Sequence, residues 1–290
     1  MGQLTFVAAS QLDMPALLGA FNRGFEGYYL PMQQSIESLT AMIEGNDVSL
    51  SDSVVALDGE GAPVGLGLLG VRPPVGWVGG MGVAPAWRGM GQGAALLREL
   101  IQRCRTLGLR QLQLEVLDQN TPARRLYSRM GFIEQRPLLV YTGPLVLPTD
   151  DGALPLPEPT SAPIAPAAAL AHFALPRAVP APWQRDHRSL AHSLPRLSAR
   201  GIHTDGTLVA VVLYHPIVGG IAVLAAASAA PTPESRAAHI AALLRALVAG
   251  RPTTPVRAIN VPPGDPLGDA LTALACPVVL RQREMVLDLA

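Results

Sequence analysis

From Gly80 to Ala94 the chain reads Gly-Met-Gly-Val-Ala-Pro-Ala-Trp-Arg-Gly-Met-Gly-Gln-Gly-Ala, and few folds accommodate such a run. An apolar stretch, Trp77 to Val83, enters it as a strand. An amphipathic helix from Gly91 to Gly108 leaves it, with Leu96, Leu97, Leu100, Ile101 and Cys104 along one stripe. A strand that passes through a glycine-rich turn straight into a helix leaves several backbone amides unpaired at the positive end of the helix dipole. That combination suits a pyrophosphate. Gly89, Gly91 and Gly93 have no Cβ, so the backbone can approach phosphate oxygens and adopt positive φ, and Arg88 can add charge-assisted hydrogen bonds. Glycine-rich turns also serve merely to end or start helices, so this run needs a second signal.

Two other phosphate folds are excluded by residue type. A dinucleotide fingerprint needs Gly-x-Gly-x-x-Gly with a downstream acid, and a P-loop needs Gly-Lys-Ser/Thr. The chain contains no Lys, so all 22 fixed basic side chains are Arg, and they balance 22 acids to a formal charge of zero. Without a basic stripe, nucleic acid is not an expected partner. No apolar run approaches the roughly 20 residues of a membrane span, and Met1-Gly2-Gln3-Leu4 opens no secretory leader, so a cytoplasmic protein is expected. The richness in Ala, Gly and Pro with no Lys suggests a GC-rich bacterial genome. Cys104 and Cys276 are neither a disulfide framework nor a metal cluster, and no metal is expected.

At 290 residues the chain is long enough for two domains. The Pro-rich stretch Thr142 to Pro166 divides it near the middle, giving expected domains 1–145 and 146–290. In the first, helices are expected at Asp13–Phe25, Ile36–Ile43 and Pro122–Met130, and strands at Ser53–Leu57, Val64–Val71, Gln111–Leu117 and Leu138–Tyr141, with Asp58-Gly59-Glu60-Gly61 as a hairpin turn. This is an α/β class of mixed sheet flanked by helices. The second half repeats the order more faintly: helices near Ala167–His172, Arg188–Leu197, Ser235–Leu247 and Pro266–Ala275, strands at Leu208–Tyr214, Ile221–Ala226, Arg257–Val261 and Met285–Leu289. Ala270 to Cys276 stands where Ala123 to Phe132 stands in the first half, hinting at duplication.

Val83-Ala84-Pro85 followed by Arg88-Gly89-Met90-Gly91-Gln92-Gly93 resembles the Q/R-x-x-G-x-G/A acetyl-CoA signature of the GNAT superfamily. A second signature follows at the expected distance. Leu114-Glu115-Val116, Asn120, Ala123, Leu126-Tyr127 and Gly131-Phe132 resemble that family's L-E-V, N-x-x-A-x-x-L-Y-x-x-x-G-F pattern. The resemblance covers Leu4 to Thr142 well and the rest only in outline, as in tandem GNAT proteins with a degenerate second half. It implies two GNAT-like domains, acetyl-CoA as co-substrate, and an amine acceptor. The residues carried over for cofactor binding are Met81, Gly82, Val83, Arg88, Gly89, Met90, Gly91, Gln92, Gly93, Ala94, Asn120, Ala123 and Tyr127. In that pattern the amides from Arg88 to Ala94 hold pyrophosphate, Val83 and Asn120 hold the pantetheine arm, and Tyr127 is the general acid for the departing thiolate. Packing in a helix face is the plainer role for Tyr127, and a helix N-cap the plainer one for Asn120.

A general base is harder to read. The fourth strand has no carboxylate, which leaves Glu115 on the fifth strand and Glu26 beside Tyr28 and Tyr29, against the simpler readings of a structural hydrogen bond and a solvated surface acid. Phe21, Tyr28, Tyr29, Leu30 and Met32 are expected to wall the acceptor. All six His lie in the second half with no zinc spacing. The turn there, Ala229-Ala230-Pro231-Thr232-Pro233-Glu234, has two prolines that remove amide donors, so that half is not expected to bind CoA. The expected protein is an N-acetyltransferase, monomeric or homodimeric; the alternative is a non-catalytic acyl-CoA-binding or sensing module.

Overall fold

The computed structural model describes residues 4–146, 161–173 and 179–290. Packing divides the chain into two compact units, residues 1–136 together with 283–290, and residues 137–282. The boundary at 145/146 follows a proline-rich stretch of which residues 147–160 lie outside the described residues. By packing, the first unit instead ends at Arg136 and takes in a segment from more than a hundred residues further along the chain.

In the first unit the elements are β1 (Thr5–Ala8), α1 (Met14–Gly24), α2 (Ile36–Gly45), β2 (Val54–Leu57), β3 (Pro63–Arg72), β4 (Val75–Val83), α3 (Gln92–Thr106), β5 (Gln111–Leu117) and α4 (Thr121–Arg129). Local chemistry accounts for most boundaries. Asp13 accepts from the Ala16 amide at 2.8 Å to start α1, and Ser35 and Ser38 cap α2 reciprocally. In the β2–β3 hairpin the Asp58 carboxylate accepts from the amides of Glu60 and Ala62 at 3.0 and 2.8 Å.

Strands β1 to β4 are antiparallel in chain order and β4 runs parallel to β5. Beyond β5 lies the end of β12 (Val278–Asp288), whose residues from Arg283 onward belong to this unit. Side-chain alternation sends the two faces to different helices. A Cβ on Gly67 would strike Leu100 of α3, whereas Leu66 touches Gly24 at the end of α1. The α3 stripe, Tyr127 of α4, Phe132, Met285, Leu287 and Leu289 form one core.

The second unit contains the rest of β6 (Ile133–Gly143), then β7 (Ser161–Ile164), α5 (Pro166–His172), α6 (His187–Ser193), β8 (Ser198–Thr204), β9 (Thr207–Ile217), β10 (Gly220–Ser228), α7 (Pro233–Val248), β11 (Val256–Val261) and α8 (Pro266–Ala273). β7 to β10 are antiparallel, β10 is parallel to β11, and β11 pairs antiparallel with residues 139–143 of β6. The same order of elements thus recurs. Each unit is a mixed sheet covered by helices, as expected.

Three strands escaped the sequence pattern: β1, β7 and β8. β7 lies inside the stretch read as a linker and carries Pro163, which an edge strand tolerates because that strand pairs only with β8. β6 and β12 are each longer than expected; Glu134 and Arg136 of β6 pair as ions with Arg283 and Glu284 of β12. No helix among the described residues is long and apolar enough to cross a membrane.

Candidate active site

The site begins with an irregularity in β4. The β3–β4 register shifts between the pairs Leu68–Gly80 and Leu69–Val78, so Gly79 is the extra residue of a bulge. Parallel pairing with β5 covers only Val75, Gly76 and Trp77. Past Trp77 the two strands part, and the β5-side edge of Met81, Gly82 and Val83 has no ladder partner among the described residues. On the other edge these three pair with Gly67, Leu66 and Gly65. A Cβ on Gly82 would sit 2.6 Å from the Gly24 carbonyl oxygen, so this glycine lets the end of α1 lie directly on the strand.

The opened strand leads into the glycine turn. Gly89 and Gly91 adopt φ of 77° and 81°, and Gly91 caps α3 without any side-chain hydrogen bond. The amides of Gly89, Met90, Gly91, Gln92 and Gly93 have no hydrogen-bond partner among the described residues. The ends of the expected run differ. The Arg88 amide donates to Pro85 O at 3.2 Å and the Ala94 amide to Gly91 O at 3.0 Å, so both are already satisfied. The Arg88 guanidinium is engaged as well, donating to the backbone oxygens of Val83 at 2.8 Å, Glu26 at 2.6 Å and Gly24 at 3.2 Å. It ties the loop after α1 to β4 rather than standing open toward a phosphate.

That loop is also held by Asn22, whose side chain exchanges two hydrogen bonds with the Gln34 backbone, at 3.1 and 2.8 Å. Along it runs a chain of rings: Phe21 to Phe25 at 4.6 Å, Phe25 to Tyr28 at 5.4 Å and Tyr28 to Tyr29 at 5.5 Å. Tyr29 is half exposed.

Asn120 fills its plainer role, its Oδ1 accepting from the Ala123 amide at 3.3 Å to start α4. It also reaches Tyr28. Burial raises the Tyr28 pKa, and a hydrogen bond with the Asn120 side chain works in the opposite direction. Tyr127 is buried against Phe132, ring centroids 5.7 Å apart. Burial first, and the nearby Tyr28 second, hold its hydroxyl far above the ordinary range, so it remains a neutral O–H donor. Tyr28, Asn120 and Tyr127 therefore form one group, although sequence reading had placed Tyr28 only in the acceptor wall.

The two candidate bases separate clearly. Glu26 has an exposed side chain, and its contribution to the structure is the backbone oxygen gripped by Arg88. The Glu115 carboxyl is buried. Its Oε2 accepts from Trp77 Nε1 at 2.8 Å, while Oε1 is sealed from solvent with no hydrogen-bond partner. Burial pushes its pKa up to about 7, opposed chiefly by the Trp77 hydrogen bond. Trp77 gave no signal in sequence beyond an aromatic in an apolar strand.

The second unit repeats the bulge and the parting strands: the β9–β10 register shifts between Val223 and Ala225, and β10 pairs with β11 only through Ile221 and Ala222. There the gap is filled from within. Arg185, 3% exposed, donates to Leu224 O at 2.9 Å and Asn260 O at 3.3 Å and pairs with Asp265 at 3.4 Å. At the start of α7, the Ala229, Ala230, Thr232 and Ser235 amides are all hydrogen-bonded within the protein. No group of three His, Cys, Asp or Glu side chains gathers at one point among the described residues.

Residues 20–132 match the model of the acetyltransferase (GNAT) family. A search of curated proteins returned no match. Among solved structures, a GCN5-related N-acetyltransferase from Sphaerobacter thermophilus superposes with a TM-score of 0.71 at 18% identity, covering 99% of this chain and 96% of that one. A tandem GNAT protein from the clavulanic acid biosynthesis pathway gives 0.71 at 16% identity, covering 99% of both chains. A further match is an acetyltransferase structure from Pyrococcus horikoshii, with a TM-score of 0.61 at 15% identity over 99% of this chain and 89% of that one. At these identities the superpositions establish the fold, and the family model matches residues 20–132 within the first unit. Residues 20–132 thus match the acetyltransferase (GNAT) family model, and the chain as a whole has the fold of tandem GNAT proteins.

Proposed function

We propose that the first unit transfers an acetyl group from acetyl-CoA to a primary amine on a small molecule or peptide, by direct attack. The observation that carries this reading is the run of five unpartnered amides, Gly89 to Gly93, at the end of a strand whose edge opens past Trp77. Those amides and the α3 dipole suit the pyrophosphate. The free edge at Met81, Gly82 and Val83 offers backbone partners to the amide-bearing pantetheine arm, with Asn120 and Ala123 at its far side. Arg88 supports this arrangement by bracing the loop after α1. The second unit, its gap filled by Arg185 and its turn amides satisfied, takes no CoA in this reading.

In the reaction, the acceptor ammonium gives a proton to the Glu115 carboxylate, and the freed amine attacks the thioester carbonyl. The tetrahedral zwitterion then collapses: the C–S bond breaks, the sulfur takes a hydrogen bond and then the proton from Tyr127, and the second proton of the attacking nitrogen passes to the Tyr127 oxygen, leaving a neutral amide, a thiol and a restored Tyr127. Since burial holds the Tyr127 proton tightly, its transfer to sulfur follows the development of charge there. A base titrating near 7 suits work at neutral pH, since it is substantially ionised yet still basic enough to take a proton. Glu26, exposed and outside this group, is the weaker candidate. The ring chain from Phe21 to Tyr29 is assigned to the acceptor side.

The test is CoA release from acetyl-CoA with a panel of primary amines. Turnover is expected in wild type, with kcat lower by roughly a hundredfold in Tyr127→Phe and CoA affinity retained. Tight CoA binding without turnover on any amine would replace this reading with that of an acyl-CoA-binding module.

A further inference from the structure

We propose that Trp77 and the Arg136–Glu284 ion pair are positioning residues that set the Glu115 carboxyl from two sides with opposite electrical effect. This rests on the reading of Glu115 as the base. It gives a role in the reaction to residue 284, which lies on the segment that joins the first unit from far along the chain.

Trp77 occupies the last β4 position paired with β5, and its ring is 1% exposed. The bulge residue Gly79 makes room for it: a Cβ there would stand 2.5 Å from the indole ring, so any larger residue displaces the ring. The indole N–H donates and has no acceptor, so it cannot relay a proton. It grips one carboxylate oxygen and leaves Oε1 as the atom that takes the proton. A donor aimed at the carboxylate favours its ionised form.

The other side carries net repulsion. Arg136 on β6 grips Glu284 on β12 through a fork of 2.6 and 3.2 Å, and Glu284 is 8% exposed. The charged groups acting on Glu115 are Glu284, which opposes its ionisation, and Arg136, which favours it, with the Glu284 effect the larger. Two like charges in a poorly solvated layer resist joint ionisation. With Glu284 neutral, that repulsion disappears while the favourable effect of the Arg136 charge stays.

The two sides therefore make predictions of opposite sign. The acid limb of the kcat/KM–pH profile is measured with one amine on wild type, Trp77→Phe, Glu284→Gln and Glu115→Gln, with CoA affinity as a check on folding. Trp77→Phe is expected to move the limb up by roughly one unit, the size of a lost charge-assisted hydrogen bond. Glu284→Gln is expected to move it down. Should the single variant fold poorly, the double variant Arg136→Gln/Glu284→Gln still moves the limb down, because the larger of the two effects is removed. If both sides shift the limb in the same direction, or neither shifts it while Glu115→Gln abolishes it, the positioning proposal fails and Glu115 stands as base. If Glu115→Gln keeps both the limb and the rate, the reading of Glu115 itself is wrong.

Discussion

A buried acid makes stability depend on pH, and Glu115 does so with a definite sign. Its pKa is 4.5 when unfolded and about 7 in the fold, so between those values the native state holds a proton that the unfolded chain has lost. The stability tied to that proton is fully present below pH 4.5 and is lost as pH rises through about 7. Glu115→Gln should therefore leave stability little changed at pH 4 and raise it at pH 8, by at most on the order of 3 kcal/mol. Urea unfolding at the two pH values measures this, and a variant less stable at pH 8 than wild type would contradict it. Glu115 and Tyr127 were legible in the sequence as candidates because they stand at positions of the family's pattern. Trp77, Arg136 and Glu284 were not, since their importance lies in what they face across the sheet. Arg88 was legible as part of the turn but not in its role, because sequence does not show that three carbonyls lie within its reach.

At the scale of elements, the turn before α3 depends on left-handed backbone at Gly89 and Gly91. Gly91→Val places a β-branched side chain at φ of 81°, at a cost of about 1–2 kcal/mol. The turn relieves that strain by rotating amides away from their common focus. The affinity for acetyl-CoA is expected to fall at least about tenfold while far-UV circular dichroism stays unchanged; unaltered affinity by calorimetry would remove the turn from the binding site. Arg88→Ala acts elsewhere. It releases the loop after α1, so acceptor KM should rise by more than the KM for acetyl-CoA, an outcome that steady-state kinetics in both substrates distinguishes. Strands such as β5 could be read from apolar residues alone. The polar stretches Glu134-Gln135-Arg136 of β6 and Arg281-Gln282-Arg283 of β12 could not, because they carry no apolar alternation, and ion pairs join the two strands there. Arg283 meets Glu134 at 2.6 Å and Arg136 meets Glu284 at the same distance. β8, with Ser198, Arg200 and His203 along it, offered too little apolar alternation to be noticed.

For the whole molecule, the informative fact is that residues 283–290 pack in the first unit. Met285, Leu287 and Leu289 are buried in the same core as the α3 stripe and Tyr127. At about 1.5–3 kcal/mol for each buried side chain, that segment accounts for a large share of a stability that is typically only about 5–15 kcal/mol. A chain ending at Gln282 should therefore lose acetyl transfer and the cooperative unfolding of its first unit, as calorimetry would show. A truncated chain with full activity would refute the assignment. Two units were legible in the sequence from length and the repeating order of elements. The return of the chain was not, because proline marks where a chain turns away but nothing local marks which distant strand it will join.

That return has a consequence for synthesis. A ribosome adding roughly 5–20 residues per second will have released all of residues 1–136 well before Arg283 is made. For that interval the nascent first unit lacks the strand that lies against β5, leaving backbone groups and part of the Tyr127 core uncovered. Acetyl transfer should therefore be absent from a stalled chain still tethered short of residue 283.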